Sequence, residues 1–262
     1  MGRKGIFVIV DGLDGIGKGE VERALIEYEQ KLGRAVFDTI SFSRANRKGL
    51  SELADFWNPP HTYFDTIVTA EPTYAGIGHT IRNEMIAKNG RDYSAEMQIQ
   101  SYSLDRLVLM KRVVEPALLN GLRVLQSRSC ASTLCYQTLK AMEEGKDSEE
   151  ARRRILKHEG NKYQLEVVKP DLLIIPTIKD AAEVIKRLEE RKSHRKDDKS
   201  IFDNLEFQSR LKPLYESVWL REIFEEHGTT VKYLDAGISP EETRAQAVEI
   251  YKNFLGERFG ER

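Results

Sequence analysis

Apolar residues along this chain fall into short runs divided by stretches of helical period. Ile6–Val10 is a continuous run of β-branched and aromatic residues, the pattern of a strand buried on both faces of a parallel sheet. Val21, Ala24, Leu25, Tyr28 and Leu32 then recur at helical spacing, and Gly33 ends that helix. Ala35–Phe42 reads as a second strand. A polar stretch with Arg44, Arg47 and Lys48 leads to a short helix near Leu50–Trp57, broken by Asn58-Pro59-Pro60. Further strands are predicted at Ile67–Thr69, Arg123–Gln126, Leu172–Ile175 and Thr230–Leu234. Helices are predicted over Gly78–Ala87, Ala95–Leu119 (with a kink or end at Pro116), Thr133–Glu143, Ser148–Val168, Ala181–Arg191, Asp203–His227 and Pro240–Phe254. Strands alternate with helices throughout, which predicts an α/β fold with a parallel sheet covered on both faces. No repeat, low-complexity tract or linker divides the chain, so residues 1–262 read as one domain.

Composition narrows the function classes. Hydrophobic residues make up 40% and charged residues 32%, a globular balance with a highly charged surface. No apolar run approaches the roughly 18–20 residues of a membrane span. The apolar segment after the basic start ends at Asp11, too short for a signal peptide. With 41 basic and 42 acidic residues there is no global field that favours nucleic acid. Cys130 and Cys135 fit neither a zinc pattern nor a disulfide framework, and the five histidines show no metal-ligand spacing. The expected compartment is the cytoplasm, with no membrane and no nucleic-acid partner.

The chemistry is concentrated in Gly12-Leu13-Asp14-Gly15-Ile16-Gly17-Lys18-Gly19-Glu20, between a predicted strand and a predicted helix. Glycines let successive backbone N–H groups turn inward on an anion. The following helix presents its positive N-terminus, and Lys18 reaches terminal phosphates as a point charge. That context makes the segment a phosphate-binding loop rather than a bare chain reversal.

With these residues in view, the chain resembles the thymidylate kinase family of P-loop nucleoside monophosphate kinases, from Phe7 to Phe254. Thr69-Ala70-Glu71-Pro72 is similar to that family's second motif, and Ile77–Arg82 to the segment after it. Asp105-Arg106 falls on its acceptor-binding helix, Ser127-Arg128-Ser129 on its Asp-Arg-Tyr stretch, and Lys169-Pro170-Asp171 on its Lys-Pro-Asp strand. Leu234-Asp235-Ala236-Gly237 resembles the loop beside the donor adenine. The resemblance implies a three-layer α/β/α P-loop NTPase fold with a five-stranded parallel sheet, an insertion at 43–64 and a small lid at 191–202. It implies ATP and Mg²⁺ as cofactors, a nucleoside monophosphate acceptor, most directly dTMP, and a homodimer.

Carried over by position, Gly12, Asp14, Gly15, Ile16, Gly17, Lys18, Gly19, Glu20, Ala236 and Gly237 would hold ATP. Asp14 and Asp11 would serve the metal. Asp14, Glu71, Tyr102, Arg106, Arg128, Thr133, Tyr136 and Gln137 would bind the acceptor, with Tyr102 stacked on the base and Arg106 at its edge. Tyr102 and Tyr136 fit helix packing equally well. Lys18, Arg128 and the lid residues Arg191 and Arg195 would supply the cationic charge of transfer. Four positions depart from the family pattern: Gly19 lacks the metal-binding hydroxyl, Glu20 stands for Thr, Ala70 for an acceptor-phosphate arginine, and Ser127 for Asp. Arg44, Arg47 or Lys48 could replace the missing arginine, and Asp11, Asp14 or Glu71 could rescue the metal. Two other readings share the fold: a deoxynucleoside kinase-like enzyme, and a nucleotide-binding protein without turnover.

Overall fold

The computed structural model describes residues 5–46, 49–180, 182–184, 186, 202 and 205–260. Its strands are β1 (Ile6–Val10), β2 (Val36–Asp38), β3 (Trp57–Asn58), β4 (Thr62–Tyr63), β5 (Thr66–Ala70), β6 (Arg123–Ser127), β7 (Leu172–Thr177) and β8 (Thr230–Asp235). Six of them form one sheet in the order β2-β5-β6-β1-β7-β8, and every pairing in it is parallel. The expected count of five is therefore corrected to six. The edge strands are β2, which joins β5 through Val36–Asp38, and β8, which joins β7 from Thr230 to Asp235.

The pleat sorts β1 between two layers of helix. Phe7 and Ile9 pack into a core with Met110, Val113, Val114 and Leu134, from the helices on one face. Ile6, Val8 and Val10 pack on the other face with Val21 and Leu25 of helix α1 (Lys18–Lys31) and with Tyr251 and Phe254 of the helix Pro240–Phe259. Burial of each such large side chain contributes about 1.5–3 kcal/mol.

Three expected elements are shorter than their patterns. The strand at 35–42 ends at Asp38, whose carboxylate accepts from the N–H groups of Ile40 and Ser41 and starts the helix Thr39–Ala45. The stretch 148–168 breaks at His158, which is extended. The long helix after 203 divides into Leu205–Tyr215 and Val218–Glu226, with Ser217 capping the second. By contrast 95–119 runs on through Pro116. A π-helical turn at Met110–Val114 precedes the proline, which cannot donate to the helix ladder. The segment around 43–64 folds over Phe37, whose ring meets Phe42, Phe56 and Phe64 at 5.5, 5.6 and 5.1 Å.

The two ends of the sheet differ. At the N-terminal end, Glu29 is fully buried and accepts from Arg123, Arg34, Thr66 and Tyr251, a closed structural network. At the C-terminal end, the connections leaving the neighbouring strands β1 and β6 run in opposite directions across the sheet. The crevice between them is the position where open parallel sheets bind ligands.

Candidate active site

The loop leaving β1 enters α1 at Lys18. Gly15 and Gly17 have φ of 80° and 106°, where a Cβ is strained, and Gly17 is the cap residue of α1. The loop is therefore a backbone cradle against a helix N-terminus. The Lys18 ammonium donates to the carbonyls of Gly12 at 2.8 Å and Leu13 at 2.5 Å and lies 3.7 Å from Asp14. Burial, together with nearby Arg128, pulls its pKa down to about 8, against the pull of Asp14, Asp11 and Glu22. A bound polyphosphate favours the charged form. ADP binding is thus expected to take up a proton above pH 8 and to weaken about tenfold per pH unit there. Binding heats at pH 9 measured in buffers of different ionisation enthalpy check this; a buffer-independent heat would contradict it.

Around the lysine lies a ring of charge. Arg128 follows β6 with φ of 65°, its N–H on Val10 O at 2.9 Å. Its guanidinium donates to Asp14 and to Ser132 Oγ and stands over the Tyr136 ring. Tyr136 Oη donates to the other oxygen of Asp14 at 2.8 Å. Asp11, one residue past β1, is fully buried and accepts five hydrogen bonds, from Gly12 N, Ser129 Oγ, Tyr215 Oη, and the N–H and Oγ of Ser132. Both its oxygens are occupied. The expected metal ligand is instead the tie that fixes β1 to the helices Cys130–Glu143 and Leu205–Tyr215.

A second buried cluster adjoins the first. Glu71 Oε2 pairs with Arg106 at 2.6 Å, and Glu71 Oε1 accepts from the amides of Gln126 and Gln164. Burial pushes the Glu71 carboxyl up to about 7, opposed by Arg106. Arg106 also donates to Asn161 and to Thr133 Oγ1. At 1% exposure it serves an internal ion pair rather than an open base-binding edge. Thr133 and Gln137 are equally enclosed, and Gln137 donates to Gln98. The Gln126 amide also reaches Arg128 O, which joins the clusters.

Tyr102 is half-buried, and its phenol faces Arg128, Arg82, Asp14 and Asp105; burial pushes its pKa up to about 12. Asp105 holds the adjacent turn through the N–H and hydroxyl of Thr73, both at 2.7 Å. The guanidinium groups of Arg82 and Arg44 lie 3.9 and 4.2 Å from the centre of the Tyr74 ring. Ala236 and Gly237 follow β8, two strands from β1, with Ala236 N on Thr177 O. The lid residues Arg191 and Arg195, and Arg47 and Lys48, lie outside the described residues.

Residues 59–247 match the family model for thymidylate kinase. This chain belongs to the thymidylate kinase family. It is similar to the thymidylate kinase of Cereibacter sphaeroides, with 25% identity over 98% of this chain and 99% of that one. It is also similar to the probable thymidylate kinase of Pyrococcus abyssi, with 28% identity over 51% of this chain and 52% of that one. The solved thymidylate kinase of Candida albicans shares the fold, with a TM-score of 0.63 at 17% identity, covering 97% of this chain and 93% of that one.

The departures from the thymidylate kinase pattern have structural answers. Glu20 turns away from the loop to Arg23 at 2.8 Å and to Arg244 of the last helix at 3.4 Å, so its charge does not oppose a phosphate. Gly19 is exposed with open space where a side chain would stand. Ala70 closes β5, buried, with Arg82 anchored on the nearby carbonyls of Pro72 and Thr73. Ser127 adjoins Glu22 of α1. Glu22 escaped the motif reading, and Arg82 and Tyr215 lay in family-like segments without a role of their own. Only Glu22 had a local signal: it stands four residues after Lys18, on the same helix face.

Proposed function

We propose that this chain transfers the γ-phosphoryl group of ATP to dTMP, giving dTDP and ADP. The observation that carries the reading is the meeting of Lys18 and Arg128 on Asp14 at the mouth of the glycine loop, within this family's fold. The loop N–H groups and the start of α1 hold the donor phosphates. Lys18 and Arg128, now paired with protein oxygens, turn to the phosphoryl oxygens, where charge develops during transfer. The acceptor phosphate attacks in line, and holding the two phosphates in register supplies much of the rate. Tyr102 offers an aromatic face to the base. Arg44 gives the acceptor phosphate the charge that Ala70 lacks. Ala236 and Gly237 border the donor base, and Arg191 and Arg195 act from the lid.

Magnesium fits this site. Asp14 lies at the loop, and a buried Glu22 oxygen without a partner faces Lys18. Bound with the triphosphate, the ion neutralises charge on its oxygens. Among the described residues no helix is long and apolar enough to cross a membrane. Both cysteines are free thiols, which supports a cytoplasmic setting. Met97, Leu104 and Val108 stand exposed along one side of the helix Ala95–Leu109 and support pairing with a second copy, which sedimentation reads directly.

An assay of ADP release with ATP, Mg²⁺ and each acceptor in turn tests the function. Turnover with dTMP is the expected result. Turnover with thymidine but not dTMP would make the chain a deoxynucleoside kinase. ADP binding with no turnover on any acceptor would make it a non-catalytic member of the family.

A further inference from the structure

Two departures from the family pattern stand beside the loop: no hydroxyl follows its lysine, and a serine replaces the aspartate at the end of β6. Gly19 follows the loop lysine, and Ser127 ends β6. Magnesium bound with nucleotide phosphates keeps several waters and takes only one or two carboxylates from protein. One well-placed carboxylate is therefore enough. Asp11 is closed off by five donors, and Glu71 faces Arg106 and two amides. Asp14 is held by Arg128 and Tyr136.

Glu22 stands apart from these. It lies one helical turn past Lys18 on α1 and adjoins Ser127 at the end of β6. Lys18, Arg128 and Asp11 are the charged groups around it. Its Oε1 is enclosed and accepts from nothing. A buried carboxylate oxygen without a donor is unfavourable in the empty protein and calls for a partner that arrives with the ligand.

We propose that Glu22 supplies a carboxylate of the magnesium site from helix α1, beside Ser127, where the family pattern has an aspartate. Ser127, at the end of β6, is the neighbouring side chain whose replacement by aspartate could take over this role. The proposal rests on the kinase reading above, because the metal enters with the nucleotide.

The test is the dependence of ADP affinity on metal, measured by calorimetry on the full chain in Mg²⁺ and in EDTA. Mn²⁺ binding to the ADP complex, read by electron paramagnetic resonance, gives a second readout. In Glu22→Gln the gain in ADP affinity from Mg²⁺, and the Mn²⁺ affinity, are expected to fall about tenfold to a hundredfold. Affinity in EDTA should hold or rise, since a negative charge has been removed. Adding Ser127→Asp to Glu22→Gln is expected to restore most of the metal-dependent gain. A metal-dependent gain unchanged in Glu22→Gln overturns the proposal, as does an equal loss of ADP affinity with and without metal, which is the mark of a structural role. If Glu22→Gln does not fold, Glu22→Asp keeps the charge but withdraws the oxygen by one methylene. A gain left intact there also overturns the proposal. Parent protein that binds no ADP under either condition sinks the kinase reading itself, whereas normal binding with an indifferent Glu22 sinks this assignment alone.

Discussion

Lys18→Met is expected to lower kcat/KM for phosphoryl transfer by about a thousandfold, or ~4 kcal/mol of transition-state stabilisation. Methionine fills the space but carries no charge. Two effects compete in the substitution. The empty protein holds the ammonium in a buried site where its pKa is lowered from 10.5 to about 8. The charged form is therefore disfavoured in the fold below pH 8, and that penalty is relieved only as pH rises from 8 towards 10.5. At pH 7 the variant should unfold no more easily than the parent. The nucleotide-bound protein behaves oppositely, because the lost charge faces phosphates in a site that excludes water. The thermal shift on adding ADP should shrink sharply while the unliganded midpoint stays level or rises. A variant that keeps both its turnover and its ADP-induced shift would remove Lys18 from the machinery.

Arg106→Met is expected to destabilise the fold by about 3–5 kcal/mol at pH 8, the range for breaking one partner from a buried pair. That is a large share of the roughly 5–15 kcal/mol available to a folded domain. The cause is charge rather than packing, because Glu71 loses its cationic partner and must either ionise unpaired in a buried site or hold its proton above its usual range. The sign follows from its raised pKa. The folded carboxyl keeps its proton up to about pH 7, and losing Arg106 raises that point further. Stability of the variant continues to fall as pH climbs past 7, where the parent levels off. The loss should be smaller at pH 6 than at pH 8 by urea denaturation, and adding Glu71→Leu should recover most of it. An equal loss at both pH values would assign the effect to packing.

Much of this arrangement was legible in the residues. The continuous apolar run at Ile6–Val10, then three glycines and Lys18, located the loop because strand, turn and helix signals are local. The six apolar runs all became strands of the sheet, although the family resemblance implied five. The rest depended on distant partners. Glu20, which stands where the family has Thr, pairs with Arg23 and with Arg244, 224 residues away. Arg106 looked available to a base until Glu71 and Asn161 were seen to enclose it. Helix breaks at His158 and Ser217 follow from single extended residues within otherwise helical patterns.

The place of β1 in the sheet bears on how the chain is made. β1, the first of these strands in chain order, lies inside the sheet between β6, which begins at Arg123, and β7, which begins at Leu172. At about 5–20 residues per second, Ile6–Val10 waits on the order of ten seconds after synthesis for its first neighbour. Until then a five-residue apolar segment has both backbone edges open, and the phosphate loop has no floor. The apolar segment that later carries the phosphate loop is thus the one that stays longest without either of its strand neighbours.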